Sequence, residues 1–240
     1  VPAQLELDWM PTSVTNGFGF GIKSSFTHFT NDNVEEYKVT RSHIEPELSY
    51  SYYTPAFQIE SSASYLATNY QQEFQTLPSN DSNLGAPIDR SVDRGVGKFR
   101  LLAGLNFEKF GRYFGQDVRQ TLEPKVQYLY VEESDQSQIG LYDSQRLKED
   151  YFALFRSQTY SSIDRITAMN QATVGISSSI FNNNNQEIFR FGLGQVYKLG
   201  NKSLESGTNL EDDRSKPAVA VEVFGQLSAN WQIDGGILYD

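Results

Sequence analysis

Between Phe99 and Phe107, apolar or small side chains occupy every second position: Phe99, Leu101, Ala103, Leu105 and Phe107. Arg100, Leu102, Gly104, Asn106 and Glu108 fall between and beyond them. Successive side chains on an extended chain point to opposite faces, so this pattern specifies a strand with one oily face. The same period recurs along the chain, with Tyr, Phe or Trp near the ends of the oily rows. With no long apolar run anywhere, this is the pattern of a transmembrane β-barrel, whose lipid face is apolar and whose lumen is polar.

Composition supports that fold class. Hydrophobic residues make up 38% of the 240 residues, low for a soluble core of this size, while aromatics reach 13%. A barrel accounts for both, because its aromatics gather at the two membrane interfaces. No stretch approaches the roughly eighteen consecutive apolar residues that a transmembrane helix needs. The net charge of −10 leaves no basic stripe for phosphates and argues against nucleic acid as a partner. With no cysteine, these residues hold no disulfide framework and no thiolate metal site. The chain starts on strand-like residues (Gln4 to Trp9) and stops on others (Trp231 to Tyr239). Both ends read as cuts, so the chain is expected to be a piece of a longer protein.

Alternation marks about ten antiparallel strands joined up and down. The connections alternate in length. Short ones are expected at Pro11–Gly17, Thr54–Pro55, Gly111–Asp117, Asn182–Gln186 and Ala229–Asn230. Long ones are expected at Asn31–Glu36, Gln71–Arg94, Val131–Thr167 and Gly200–Lys216. Outer-membrane barrels have short periplasmic turns and longer extracellular loops, so the rhythm assigns the two sides. The longest connection carries its own apolar residues, Tyr142, Tyr151, Phe152, Leu154 and Phe155. It either packs on itself as a surface cap or folds inward against a partner in the lumen. Ile44–Tyr52 and Leu122–Tyr130 share a Glu-Pro pair followed by two alternate tyrosines. Each proline deletes a ladder hydrogen bond, so a bulge or a gap in pairing is expected at Pro46 and Pro124.

Catalytic chemistry finds little support. His28 and His43 are the two histidines, and neither has a nucleophile at an informative spacing. The acidic runs Glu132-Glu133-Asp135 and Glu211-Asp212-Asp213 match no calcium-loop pattern and read as solvated loop charge. Asn182–Asn185 reads as a turn, because asparagine tolerates left-handed backbone. No enzyme activity, metal or cofactor is expected.

A series of motifs carries a family resemblance. Gln120-Thr121-Leu122-Glu123-Pro124, Tyr128-Leu129-Tyr130 and Asp135-Gln136-Ser137 are followed by Leu154-Phe155-Arg156, Thr159-Tyr160, Asp164-Arg165-Ile166 and Asn170-Gln171. His43-Ile44-Glu45-Pro46 and the run Leu66 to Gln72 precede them, and Gly194-Gln195-Val196-Tyr197 follows. In this order they resemble the LPS-assembly outer-membrane protein family, LptD (also called OstA). The resemblance implies an all-β chain, residues 1–240 being the middle of a barrel of roughly two dozen strands. A periplasmic jellyroll and the terminal barrel strands would lie outside it. It also implies the outer membrane of a Gram-negative bacterium and insertion of lipopolysaccharide (LPS) into the outer leaflet. Expected partners are the lipoprotein LptE as a plug in the lumen, LPS itself, the periplasmic LPS-bridge proteins through the jellyroll, and the barrel-assembly machinery during folding.

Within this frame Asp135, Gln136, Asp164 and Arg165 are the candidate plug contacts, and Arg100, Glu123, Lys125 and Gln127 are the candidate lumen-facing residues. The inward row is mixed in sign, as expected of a rigid wall holding a plug rather than of a lipid gate. A general outer-membrane porin or substrate channel is the alternative reading, and a soluble β-sandwich a third.

Overall fold

The computed structural model describes residues 3–11, 16–31, 37–74, 90–113, 115–148, 150–199, 219–228 and 230–239. They form one antiparallel sheet of eleven strands and no α-helix. The strands are β1 Ala3–Trp9, β2 Phe18–Asn31, β3 Tyr37–Tyr53, β4 Phe57–Phe74, β5 Ser91–Leu105, β6 Phe107–Tyr113, β7 Gln116–Val131, β8 Met169–Phe181, β9 Glu187–Lys198, β10 Val219–Ser228 and β11 Trp231–Tyr239. Each strand pairs with the next along the chain, except that β5 and β6 both pair with β7. The sheet is therefore a meander, and β1 and β11 form its two edges.

The expected Phe99–Phe107 strand is two ladder segments, interrupted at Asn106. The register is unbroken across the interruption: Gly104 faces Lys125 and Phe107 faces Leu122. Pro124 stands at the gap and has no N–H to donate, so the ladder is lost there. Pro46 has the same consequence between β3 and β4, where pairing lapses between Ile44↔Ala67 and Glu47↔Ser64. β5 begins at Ser91, eight positions before the sequence pattern becomes legible at Phe99. Its first half carries Val92 and Val96 on the inward phase and Gly95 and Gly97 on the outward one, which inverts the usual signal.

Local chemistry sets the short turns. Asn16 and Gly17 both have positive φ, at 54° and 86°. A Cβ on Gly17 would lie 2.6 Å from the Ser51 carbonyl oxygen, whose own N–H donates to the Gly17 carbonyl. Asn182 closes the β8–β9 turn by accepting from the N–H groups of Asn184 and Gln186 at 2.9 and 3.0 Å, and Asn185 takes the left-handed backbone. The β2–β3, β4–β5 and β9–β10 connections fall largely outside the described residues, and with them the Glu211 run.

The sheet has two contrasting faces. On one, Leu48, Leu101, Leu105, Val126, Leu193 and Ile237 are 40 to 72% exposed among the described residues. On the other, Arg41, Arg94 and Gln127 are at most 3% exposed. A soluble protein buries the first set and exposes the second. The connection 132–168 between β7 and β8 folds back over the polar face. Its residues complete each of three apolar clusters there: Ile139 with Phe29, Val39 and Tyr70; Ile166 with Leu66, Val96 and Leu129; and Tyr151 and Leu154 with Val196 and Ala220.

Candidate partner-binding site

The connection 132–168, hereafter the strap, is fastened to the polar face at two places. At the first, Arg41 on β3 donates to Asp143 with Nη1 and Nη2 at 2.8 and 2.7 Å, and with Nη1 to Asp164 at 2.7 Å. Asp164 is fully buried and also accepts from the Tyr70 hydroxyl and the N–H groups of Tyr142 and Asp143. Arg94 on β5 donates to the Asp164 and Ile163 carbonyls and to Gln136 Oε1. Gln136 also accepts from the Ile166 N–H and donates to the Ile166 carbonyl, which ties the two ends of the strap together. The donors around Asp164 satisfy both oxygens of a carboxylate that has no water to turn to.

At the second place, a single 3-10 turn, Phe152–Phe155, lies over a floor of glycines. Added Cβ atoms at Gly175, Gly192 and Gly194 would meet Phe155, Tyr151 and Leu154 at 2.8 Å. Thr173 donates to the Leu154 carbonyl at 3.1 Å. Burial pushes the Tyr151 hydroxyl up from its usual range. Burial acts in the same sense on Asp143, but the Arg41 and Ser162 hydrogen bonds outweigh it and hold that carboxyl below the usual carboxylate range.

Of the four residues singled out as plug contacts, Gln136, Asp164 and Arg165 take part in the first fastening and Asp135 stands beside it in the chain. Asp164 and Gln136 use their polar atoms within the fold. Asp135 is exposed and accepts from the Ser137 N–H, which holds its carboxyl below the ordinary value. Arg165 is half-buried and donates to the Gln136 carbonyl at 2.7 Å. Arg100, Glu123, Lys125 and Gln127 lie on the same sheet face as the strap. Arg100 donates to Glu60 and Gln127 at 3.0 and 2.8 Å, and Lys125 pairs with Glu123 at 3.0 Å. The buried carboxylates Glu45 and Glu222 pair in the same way with half-buried cations, Lys98 at 2.8 Å and Arg190 at 3.1 Å.

Sequence reasoning did not single out Arg41, Tyr70 and Arg94. A signal was present: two arginines on the inward phase of their strands, each without a cross-strand acid. Arg41 faces Thr27 and Tyr70, and Arg94 faces Thr68.

His28 and His43 sit beside threonine hydroxyls, Nδ1 lying 3.0 Å from Thr40 and 2.9 Å from Thr68. Among the described residues no cluster of three or more His, Asp or Glu is placed to hold a metal ion.

Comparison with known proteins agrees with this architecture. Residues 2–240 match the family described as LptD, LPS transport system D. The LPS-assembly protein LptD of Shewanella sp. (strain MR-4) is 36% identical over 100% of this chain and 31% of its own length. That of Pseudoalteromonas translucida is 37% identical over 94% of this chain and 29% of its own. That of Pseudoalteromonas atlantica is 38% identical over 95% and 28%. The chain thus spans less than a third of the length of these relatives. A match along the whole chain, on an all-β meander with an apolar outer face, identifies this protein as a member of the LptD family of LPS-assembly proteins.

Proposed function

We propose that this chain is a section of the wall of an outer-membrane translocon that inserts LPS into the outer leaflet. The observation that carries the reading is the two-faced sheet: a bare apolar face on one side, and a charged face roofed by its own strap on the other. The first suits acyl chains. The second suits a watery lumen holding a lipoprotein plug of the LptE type. Pulling a phosphorylated sugar head through hydrocarbon costs several kcal/mol for each unsatisfied polar group, and a polar lumen removes that cost.

The unpaired edges β1 and β11 require further strands, because open sheet edges are not tolerated in lipid. In this reading those strands come from the rest of the same barrel, closed with the help of the barrel-assembly machinery. A periplasmic domain beyond this chain meets the bridge proteins that deliver LPS. Asp135 and Arg165 are the plug contacts, with Asp164 and Gln136 holding the strap that presents them. Arg100, Glu123, Lys125 and Gln127 line the lumen.

Site-specific crosslinkers at Asp135 and Arg165 of the full-length protein test this. Capture of the lipoprotein is expected from both. Capture only from the Glu211 region moves the contact elsewhere. Steady ion conductance with the plug in place favours a porin instead.

A further inference from the structure

We propose that the outward surface of β3–β5, beyond the apolar band at the long-connection end, docks the sugar head of the outer-leaflet glycolipid through its hydroxyl groups. This rests on the reading of the apolar face as the lipid face. Those three strands run to 17, 18 and 15 residues. Crossing hydrocarbon takes about 9–11 residues of tilted strand. The surplus rises above the membrane on the side of the long connections, which is the cell exterior.

The outward side chains change character within one alternate position on each strand. Ile44 gives way to Ser42 on β3, Ala67 to Asn69 on β4, and Gly95 to Asp93 on β5. The Tyr65 ring lies across Gly95 at this boundary, where an amphipathic aromatic marks a membrane interface. Above it the polar groups are already ordered among themselves. Asn69 donates to Asp93 at 2.7 Å, and Gln71 donates to Asn69 and Ser91 at 3.1 and 3.0 Å, all exposed.

Two features favour a saccharide. This hydrogen-bonded patch consists of amides, a hydroxyl and one carboxylate, the donor and acceptor set that vicinal hydroxyls require. Its four side chains include no Arg or Lys fork of the kind that selects phosphate, and Lys38, exposed one alternate position beyond Thr40 on β3, adds a single cation only. It is also stiff, because Tyr70 alternates with Asn69 and Gln71 on β4, and Arg94 follows Asp93 on β5. Both of those residues are locked beneath the strap. Little conformational freedom is left to lose on binding.

The test uses the full-length protein with its partners in vesicles, carrying a photo-crosslinking residue at Gln71 or Ser91. Vesicles contain LPS with its complete sugar chain, LPS truncated to its acylated disaccharide, or phospholipid alone. A probe at Leu101 reports acyl chains in all three. Capture at Gln71 and Ser91 is expected with complete LPS, and little with the other two. Asn69→Ala with Asp93→Ala reduces capture at Ser91 about tenfold, the scale of two lost hydrogen bonds. Capture independent of the sugar, or capture of a protein in place of lipid, overturns the proposal while leaving the lipid face intact. Absence of lipid at Leu101 overturns the reading beneath it as well.

Discussion

Arg41 and Asp164 lie 123 residues apart in the chain and meet at 2.7 Å, with side chains 3% and 0% exposed. Neither is satisfied by its own strand neighbours. The pair exists because the strap folds back on the sheet, and it fixes where the strap sits. Breaking one side of a buried ion pair strands the other charge and costs about 3–5 kcal/mol. Arg41→Leu, which strands Asp164, is expected to loosen the strap by that order and Asp164→Leu by less, because Asp143 still holds the guanidinium, both read as faster proteolysis between residues 140 and 165 of the full-length protein. The double variant is expected to lose much less than the sum, since it leaves no stranded charge between the two. Strict additivity rules out direct coupling.

Asp143 holds the same guanidinium from a more exposed position, and its carboxyl is depressed below the usual range. A depressed carboxyl contributes stability that is complete above its unfolded value, about 3.9, and is lost as pH falls through the folded value. Docking of the strap is therefore expected to be level from neutral pH down to about 4 and to weaken below it. Hydrogen exchange of residues 140–145, corrected for intrinsic rates, follows this directly. Asp143→Asn removes the Asp143 share of the acid response. An acid profile unchanged by that substitution contradicts the assignment.

The strands were legible because a period of two is a local signal that each residue carries with its neighbours. The prolines at 46 and 124 were legible for the same reason, since a missing N–H is a property of one residue. The inward packing of Tyr151, Leu154 and Phe155 was half legible: their apolarity in a long connection demands cover, but does not say what provides it. The fastening was not legible. Asp164 lies 70 residues from Arg94 and 123 from Arg41, and no spacing rule links them. What the sequence does hold is the deficit, two inward arginines without a cross-strand acid, which the strap fills with Asp143 and Asp164 for Arg41 and with backbone carbonyls and Gln136 for Arg94.

The glycine floor makes a prediction with a built-in control. A Cβ at Gly192 would stand 2.8 Å from two atoms of the Tyr151 ring, whereas at Gly225 it would meet nothing within 4 Å. Tyr151 is 3% exposed and packed against Phe152 and Phe155, so its ring has no free space to move into. Gly192→Ala is expected to cost about 1–3 kcal/mol in docking of the Phe152–Phe155 turn, the usual penalty for overpacking. Gly225→Ala is expected to leave the turn in place. Hydrogen exchange across residues 151–156 compares the two. Equal protection in both variants means the glycines do not seat the turn.

The two faces of β5 make the most direct demand on the membrane reading, because neighbours in sequence are assigned to different solvents. Leu101 is 40% exposed in the middle of the apolar row, between Ser61 and Tyr128. Arg100 beside it points the other way, paired with Glu60. An arginine placed on the lipid face near the bilayer centre costs about 2–4 kcal/mol, while a polar replacement on the lumen side costs little. Leu101→Arg is therefore expected to lower the stability of the full-length barrel in lipid by that order, measured by reversible denaturant unfolding or by loss of the compact band in unheated gels. Ser62→Gln, on the strand position facing Arg100, is expected to change it by less than about 0.5 kcal/mol. Were the apolar row buried between soluble sheets, the two substitutions would fall in the same order, so the solvent that meets the row must be read directly. Spin labels separate the two cases without energetics: at Leu101 and Leu105 the label should report lipid, and at Arg100 and Glu123 water.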